Sequence, residues 1–117
     1  MYEELIYPWD KDIRSGDLCE RGSQLRPHVV WFGEPVPMME PAAEMISMAD
    51  IAMIIGTSMQ VYPAAGLIRF APSQCVVYYI DPRPQINFEL SRRGQLNIIS
   101  EKAGSGVPAV VADLLDH

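Results

Sequence analysis

Ile51-Ala52-Met53-Ile54-Ile55-Gly56-Thr57-Ser58 is the stretch on which the fold turns. Its first five residues are apolar throughout and do not alternate, which is the pattern of a strand covered on both faces and hence of a parallel sheet. It is therefore expected to be the most buried strand. In open α/β sheets ligands bind at the carboxyl ends of strands, and Gly56-Thr57-Ser58 stands at that end. Glycine lets the backbone approach a ligand closely, and the two hydroxyls can bond sugar or phosphate oxygens. A plain turn whose hydroxyls cap the next segment accounts for the tripeptide equally well.

Outward from this strand the chain reads as alternating elements. On the N-terminal side, Val29 to Phe32 has the composition of a short apolar and aromatic strand that could pair with an extended peptide. Glu40-Pro41 opens a helix with Ala42, Met45, Ile46 and Ala49 at helical spacing, and Pro41 suits its first turn. On the C-terminal side, a short helix is expected over 63–71. Val76 to Ile80 gives a further strand and Asn97 to Ile99 a weaker one. A last helix is entered near Pro108 with Val107, Val111, Leu114 and Leu115 as its buried stripe. Between them, Pro82 to Leu96 reads as a loop with a helical turn near Ile86 to Arg92. This order defines an α/β fold, a partial Rossmann-like parallel sheet with flanking helices.

Composition bounds the rest. At 117 residues, with 49% hydrophobic and 21% charged residues, the chain suits one soluble globular domain, and no apolar run approaches the roughly 18 residues of a membrane span. A net charge of −6 disfavours a phosphate-backbone footprint, so nucleic acid is not an expected partner. The N-terminus carries Glu3 and Glu4 where a secretory signal would be basic, which points to the cytoplasm. Residues 1–25 are interrupted by Pro8, Gly16 and Gly22 and read as irregular structure. Asp81 closes the strand after Ile55 about 25 residues beyond Gly56, near the roughly 20-residue offset at which dinucleotide folds place a ribose-binding acid. As a turn starter before Pro82 it has a plainer reading.

Arg26-Pro27-x-Val29-Val30-x-Phe32-Gly33-Glu34, Gly56-Thr57-Ser58-x-x-Val61-x-Pro63-Ala64-Ala65 and Ala103-x-x-x-Val107-Pro108 resemble, in order and spacing, the C-terminal half of sirtuins. Over residues 25–115 the chain looks most like the bacterial NAD-dependent protein deacylases, of deacetylase or desuccinylase type. The resemblance implies an acyl-lysine peptide clamped as a strand pair, which would involve Val30, Phe32, Gly33, Glu34 and Val61. It also implies NAD as co-substrate. Gly56, Thr57 and Ser58 would contact the adenosine ribose, Asp81 would hold its hydroxyls, and the backbone at Ala103 would lie near the adenine. Residues 1–117 would then form a single incomplete NAD-binding domain, with 1–25 a remnant of the small-domain region.

Several sirtuin features have no counterpart here. There is no Gly-Ala-Gly-x-Ser phosphate loop, no Gln-Asn-x-Asp segment and no His-Gly pair, so no catalytic residue is assigned and the chain is expected to be inactive alone. Sirtuins commonly carry Asn where Asp81 stands, and an acid loses the amide's donor. His28 occupies a position that sirtuins leave variable and reads as an ordinary strand-entry residue, while His117 is terminal. Sirtuins usually carry two cysteine pairs before the Arg-Pro motif. Cys19 alone cannot make a tetrahedral thiolate site, so zinc is not expected, and both Cys19 and Cys75 read as small buried side chains. Trp31 and Met38, Met39, Met45, Met48, Met53 and Met59 read as core or interface filler. The competing reading is a non-catalytic peptide- or nucleotide-binding module stabilised by self-association through an exposed sheet edge.

Overall fold

The computed structural model describes residues 3–116, so Met1, Tyr2 and the terminal His117 lie outside the described residues, as do the readings placed on them. The chain divides into two compact units, the first ending at Pro35 and the second beginning at Val36.

Among the described residues of the first unit, regular structure is confined to a 3-10 turn at Glu3–Leu5 and an antiparallel bridge between Leu18 and Gln24. Residues 1–25 were expected to be irregular, and those described largely are. Segment 29–32, by contrast, forms no strand. Apolar composition makes a strand only where a neighbouring strand accepts its hydrogen bonds, and among the described residues none runs beside it. It turns instead. The Val29 N–H bonds the Pro27 carbonyl at 2.9 Å, and the Glu34 N–H bonds the Trp31 carbonyl at 3.1 Å.

The second unit carries the sheet. α1 spans Met39–Ile46, β1 Ile51–Ile55, β2 Val76–Ile80, α2 Phe88–Ser91, β3 Leu96–Ile99 and α3 Ala103–Leu115, with a 3-10 helix at Ala64–Phe70 after β1. The strands lie in the order β1-β2-β3 and both pairs are parallel, with Ile51 opposite Val76, Ile55 opposite Ile80, Val77 opposite Leu96 and Ile80 opposite Ile99. The parallel sheet follows from the unbroken apolar runs. Which strand lies deepest does not. β1 is at the sheet edge, with Ile51 45% and Ile55 43% exposed, whereas Val77, Tyr79 and Ile80 of β2 are fully buried.

Around β2 the core gathers Met59, Ile68, Ala71, Cys75 and Leu90, with Ile46, Ala49, Ala52, Ile54 and Leu96 packed against it. Fully burying a large aliphatic side chain, as at Ile68, Val77 and Leu90, contributes about 1.5–3 kcal/mol. In α1, which packs on the 3-10 helix at Ala64–Phe70, the half-buried residues are Met39, Ala42, Ala43 and Ile46, with Ala49 half-buried in the turn that follows; Met45 points outward and is 73% exposed. Met38, Met48 and Trp31 are likewise exposed, so of the side chains read as filler Met59 is the one buried in the core.

α3 begins five residues before Pro108, at Ala103. Its inward face is Gly106, Val107, Val110 and Leu114, while Val111 and Leu115 of the expected stripe face solvent. Gly106 explains the shift. A Cβ there would lie 2.6 Å from Ile80 Cγ2 and 3.4 Å from Ile99 Cγ2, so the absence of a side chain lets the first turns of α3 rest on the ends of β2 and β3. Arg93 closes the opposite end of the core by donating to the carbonyls of Ala71, Pro72 and Cys75 at 3.0, 2.6 and 3.1 Å.

Candidate nucleotide rim and exposed peptide-facing segments

Three of the sequence-selected positions share one rim of the second unit. The Gly56 N–H donates to the Ile80 carbonyl at 3.0 Å and the Asp81 N–H to the Ile99 carbonyl at 3.1 Å, which sets Gly56 and Asp81 side by side at the carboxyl ends of β1 and β2. Ala103 opens α3 just past β3, and Gly106 seats that helix on the same strand ends. Gly56 has φ 64° and open space where a Cβ would be, so a ligand can reach its backbone.

Around this glycine the loop is tightly conformed. Thr57 Oγ1 accepts from the Met59 N–H at 3.1 Å, and Met59 itself has φ 57°, a left-handed conformation that methionine rarely adopts. Ser58 is exposed, with no hydrogen bond from its hydroxyl among the described residues. Asp81 spends Oδ1 on the Arg83 N–H at 2.7 Å, which leaves its second oxygen for an outside donor. A carboxylate oxygen of the half-buried Asp81 beside a bare backbone at Gly56 suits the hydroxyls of a ribose.

Val61 follows the loop and is exposed, ahead of a cis Tyr62–Pro63 bond. Tyr62 donates to Glu89 Oε2 at 2.8 Å, and that hydrogen bond to the carboxylate holds its phenol above the ordinary range.

Sequence reading missed the groups that hold this loop from behind. The fully buried Tyr79 donates its hydroxyl to the Thr57 carbonyl at 2.7 Å and accepts from the Gln85 N–H at 3.1 Å. Asn87 donates to the carbonyls of Met59 and Ala65 at 3.2 and 3.3 Å, while its Oδ1 accepts from Leu90 N–H at 2.9 Å and caps α2. A tyrosine in an aliphatic strand was the one available signal, since a buried phenol needs a polar partner.

In the first unit, Arg26 grips both oxygens of Glu34 at 2.6 and 3.0 Å and bonds the Val29 carbonyl at 2.9 Å. The Trp31 N–H joins Glu34 at 3.2 Å. The Arg26 guanidinium, helped by that N–H, holds the Glu34 carboxyl below the usual carboxylate range. Gly33 turns the chain with φ 85°. The closed loop presents Val30, and above all Phe32 at 91% exposure, to solvent.

Cys75 is fully buried, as read. Cys19 is only half-buried, because it sits in a turn closed by its N–H to the Ser23 carbonyl at 2.8 Å. Hydrogen bonding from the Ser23 backbone lowers its thiol pKa. Among the described residues no three His, Cys, Asp or Glu side chains gather as a metal would require, and no helix is long and apolar enough to cross a membrane.

The sequence model of the Sir2 family matches residues 4–63, just over half of the 117 residues. The chain belongs to the Sir2 family. It is 51% identical over 79 residues to an NAD-dependent protein deacylase of Helicobacter pylori, a match covering 68% of this chain and 34% of that protein. To the NAD-dependent protein deacylase of Bacteroides thetaiotaomicron it is 42% identical over 106 residues, covering 91% of this chain and 44% of the relative. A solved structure of a Sir2 homologue mutant in complex with ADP-ribose superposes with a TM-score of 0.74 at 28% identity, over 91% of this chain and 43% of the other. A second such complex gives 0.72 at 29% identity, over 87% and 41%. The chain thus spans less than half the length of these relatives, and its Rossmann-like α/β fold is that of Sir2 structures.

Proposed function

We infer that this chain supplies the adenosine side of the NAD site and peptide-contacting segments to an NAD-dependent protein-lysine deacylase. The placement of Gly56, Asp81 and Ala103 on one rim carries the reading, because it juxtaposes a bare backbone, a free carboxylate oxygen and a helix start where strands end. That superposable relatives are ADP-ribose complexes supports it. Gly56, Thr57 and Ser58 hold the adenosine ribose, Asp81 accepts from its hydroxyls, and Ala103 borders the adenine. NAD supplies, when bound, the ribose carbon to which the acyl oxygen is joined. The residues of this chain bind and orient it, and the proton-moving base is not among them.

Val30, Phe32, Gly33 and Glu34 form one exposed peptide-contacting segment and Val61 belongs to another; the acylated-lysine protein substrate is met by each. The setting is the cytoplasm, and the net charge of −6 disfavours nucleic acid. The unpartnered edge of β1 favours one second reading, a non-catalytic binding module that self-associates there.

Titration with ADP-ribose by calorimetry tests the site, with Asp81→Ala expected to weaken binding roughly tenfold or more through loss of a charged hydrogen bond. A mass-spectrometric assay on acyl-lysine peptide and NAD tests the activity. Deacylation is expected when the chain is mixed with a polypeptide carrying a sirtuin phosphate loop and His-Gly pair, and not with the chain alone. Binding by the chain alone is expected to be weak, since it carries no phosphate loop; ADP-ribose binding without activity in the mixture would favour the binding module, and no binding even at millimolar ligand would remove the nucleotide reading.

A further inference from the structure

The loop from Gly56 to Met59 has two left-handed residues, at φ 64° and 57°. Glycine adopts such a conformation freely, but at Met59 it persists only where the surroundings over-determine it. From inside the loop, Thr57 Oγ1 and the Met59 N–H supply one hydrogen bond. The support from outside comes from two side chains, the Tyr79 hydroxyl on the Thr57 carbonyl and the Asn87 amide on the Met59 carbonyl.

Tyr79 lies in the middle of the core at 0% exposure, in a strand whose other buried side chains, Val77 and Ile80, are aliphatic. Phenylalanine would fill the same space. Carrying a hydroxyl there costs free energy unless it is fully bonded, and both of its bonds go to backbone outside the sheet. It donates to the carbonyl of Thr57 on one side and accepts the Gln85 N–H on the other. Thr57 lies within the segment that faces the ribose in the reading above, and Gln85 belongs to the stretch that Asp81 starts. The two walls of the rim are therefore joined through one buried atom.

We propose that Tyr79 is a positioning residue for the nucleotide, fixing through its hydroxyl the spacing between the Gly56–Met59 loop and the segment after Asp81. It touches no ligand and acts through the Thr57 carbonyl and the Gln85 amide. Asn87 extends the same bracing along the loop by holding the Met59 and Ala65 carbonyls. The proposal rests on the nucleotide reading.

Tyr79→Phe tests it, because the ring and its packing remain and the hydroxyl alone is lost. The measurements are ADP-ribose affinity by calorimetry, at a temperature where both proteins are fully folded, and amide hydrogen exchange read residue by residue. Expected are an affinity about tenfold weaker and exchange roughly tenfold faster at Met59 and Gln85, with Tyr78 and Ile80 in β2 unchanged; loss of the hydroxyl's two neutral hydrogen bonds accounts for changes of at least this size. Unchanged affinity overturns the proposal. So does faster exchange spread evenly over the sheet, which would mark the hydroxyl as a general stabiliser. If unaltered protein takes up no ADP-ribose, the nucleotide reading fails and this role fails with it; exchange at Met59 and Gln85 then still reports whether the bracing exists as architecture.

Discussion

The segment before Pro35 and the sheet after Val36 hold their shapes by different physics. Every buried apolar side chain of the core, from Met59 to Val110, belongs to the second. The first relies on polar geometry. Gln24 alone accepts from the Gly16 N–H at 2.9 Å and donates to the carbonyls of Arg14, Asp17 and Leu25 at 2.9, 3.1 and 3.2 Å. Arg26 and Glu34 then close the loop that follows. Hydrophobic burial is non-directional and tolerant, whereas such hydrogen bonds are specific and compete with water. The contrast teaches that matching apolar content, as in Val29–Phe32 and Ile51–Ile55, can end in an exposed loop or a strand depending on what lies beside it.

The largest effect is expected in the sheet. Leu90 is fully buried, so Leu90→Ala should cost about 2–5 kcal/mol in chemical denaturation, the transfer loss plus the cavity. The comparison predicts that no single substitution among residues 3–35 costs as much.

Gln24→Ala probes the other side. Its bonds are exposed, three of them share the one Nε2, and water replaces them, so the total loss should be about 1 kcal/mol and local, seen as faster amide exchange at Gly16 and Leu25. A loss equal to that of Leu90→Ala would break the contrast.

The smallest effect is set by acidity. Glu34 has its folded pKa below the unfolded value of about 4.3, so the stabilisation it brings is complete above that pH and disappears as pH falls through the lower folded value. Arg26 lies 5.8 Å from the centre of the Trp31 ring, which makes the tryptophan a reporter. In a Trp9→Phe background, Trp31 fluorescence should change over that acid window and Glu34→Gln should abolish the change. A transition that survives the substitution would assign it to another group.

How far the sequence could be read follows the same division. β1 and β2 were legible because apolar and aromatic runs leave few alternatives, and β3, interrupted by Asn97, was legible more faintly. The strand expected over 29–32 was not a strand, since pairing is a property of two segments and only one was in view. The start of α3 was missed because Gly104, Ser105 and Gly106 resemble a turn, and Gly106 is explained only by Ile80 and Ile99 beneath it. At the candidate site, Gly56 and Asp81 stood out by position after strands. Tyr79 and Asn87 did not, because their acceptors Thr57 and Met59 lie 22 and 28 residues away in sequence.

The Arg93 clamp has a consequence of its own. Its three acceptors are main-chain carbonyls, which carry no titratable proton, so acid that strips the partner from Arg26 leaves the Arg93 anchorage intact. A guanidinium solvated by peptide carbonyls, its Nε without a hydrogen-bond partner among the described residues, keeps that corner of the sheet indifferent to sourness.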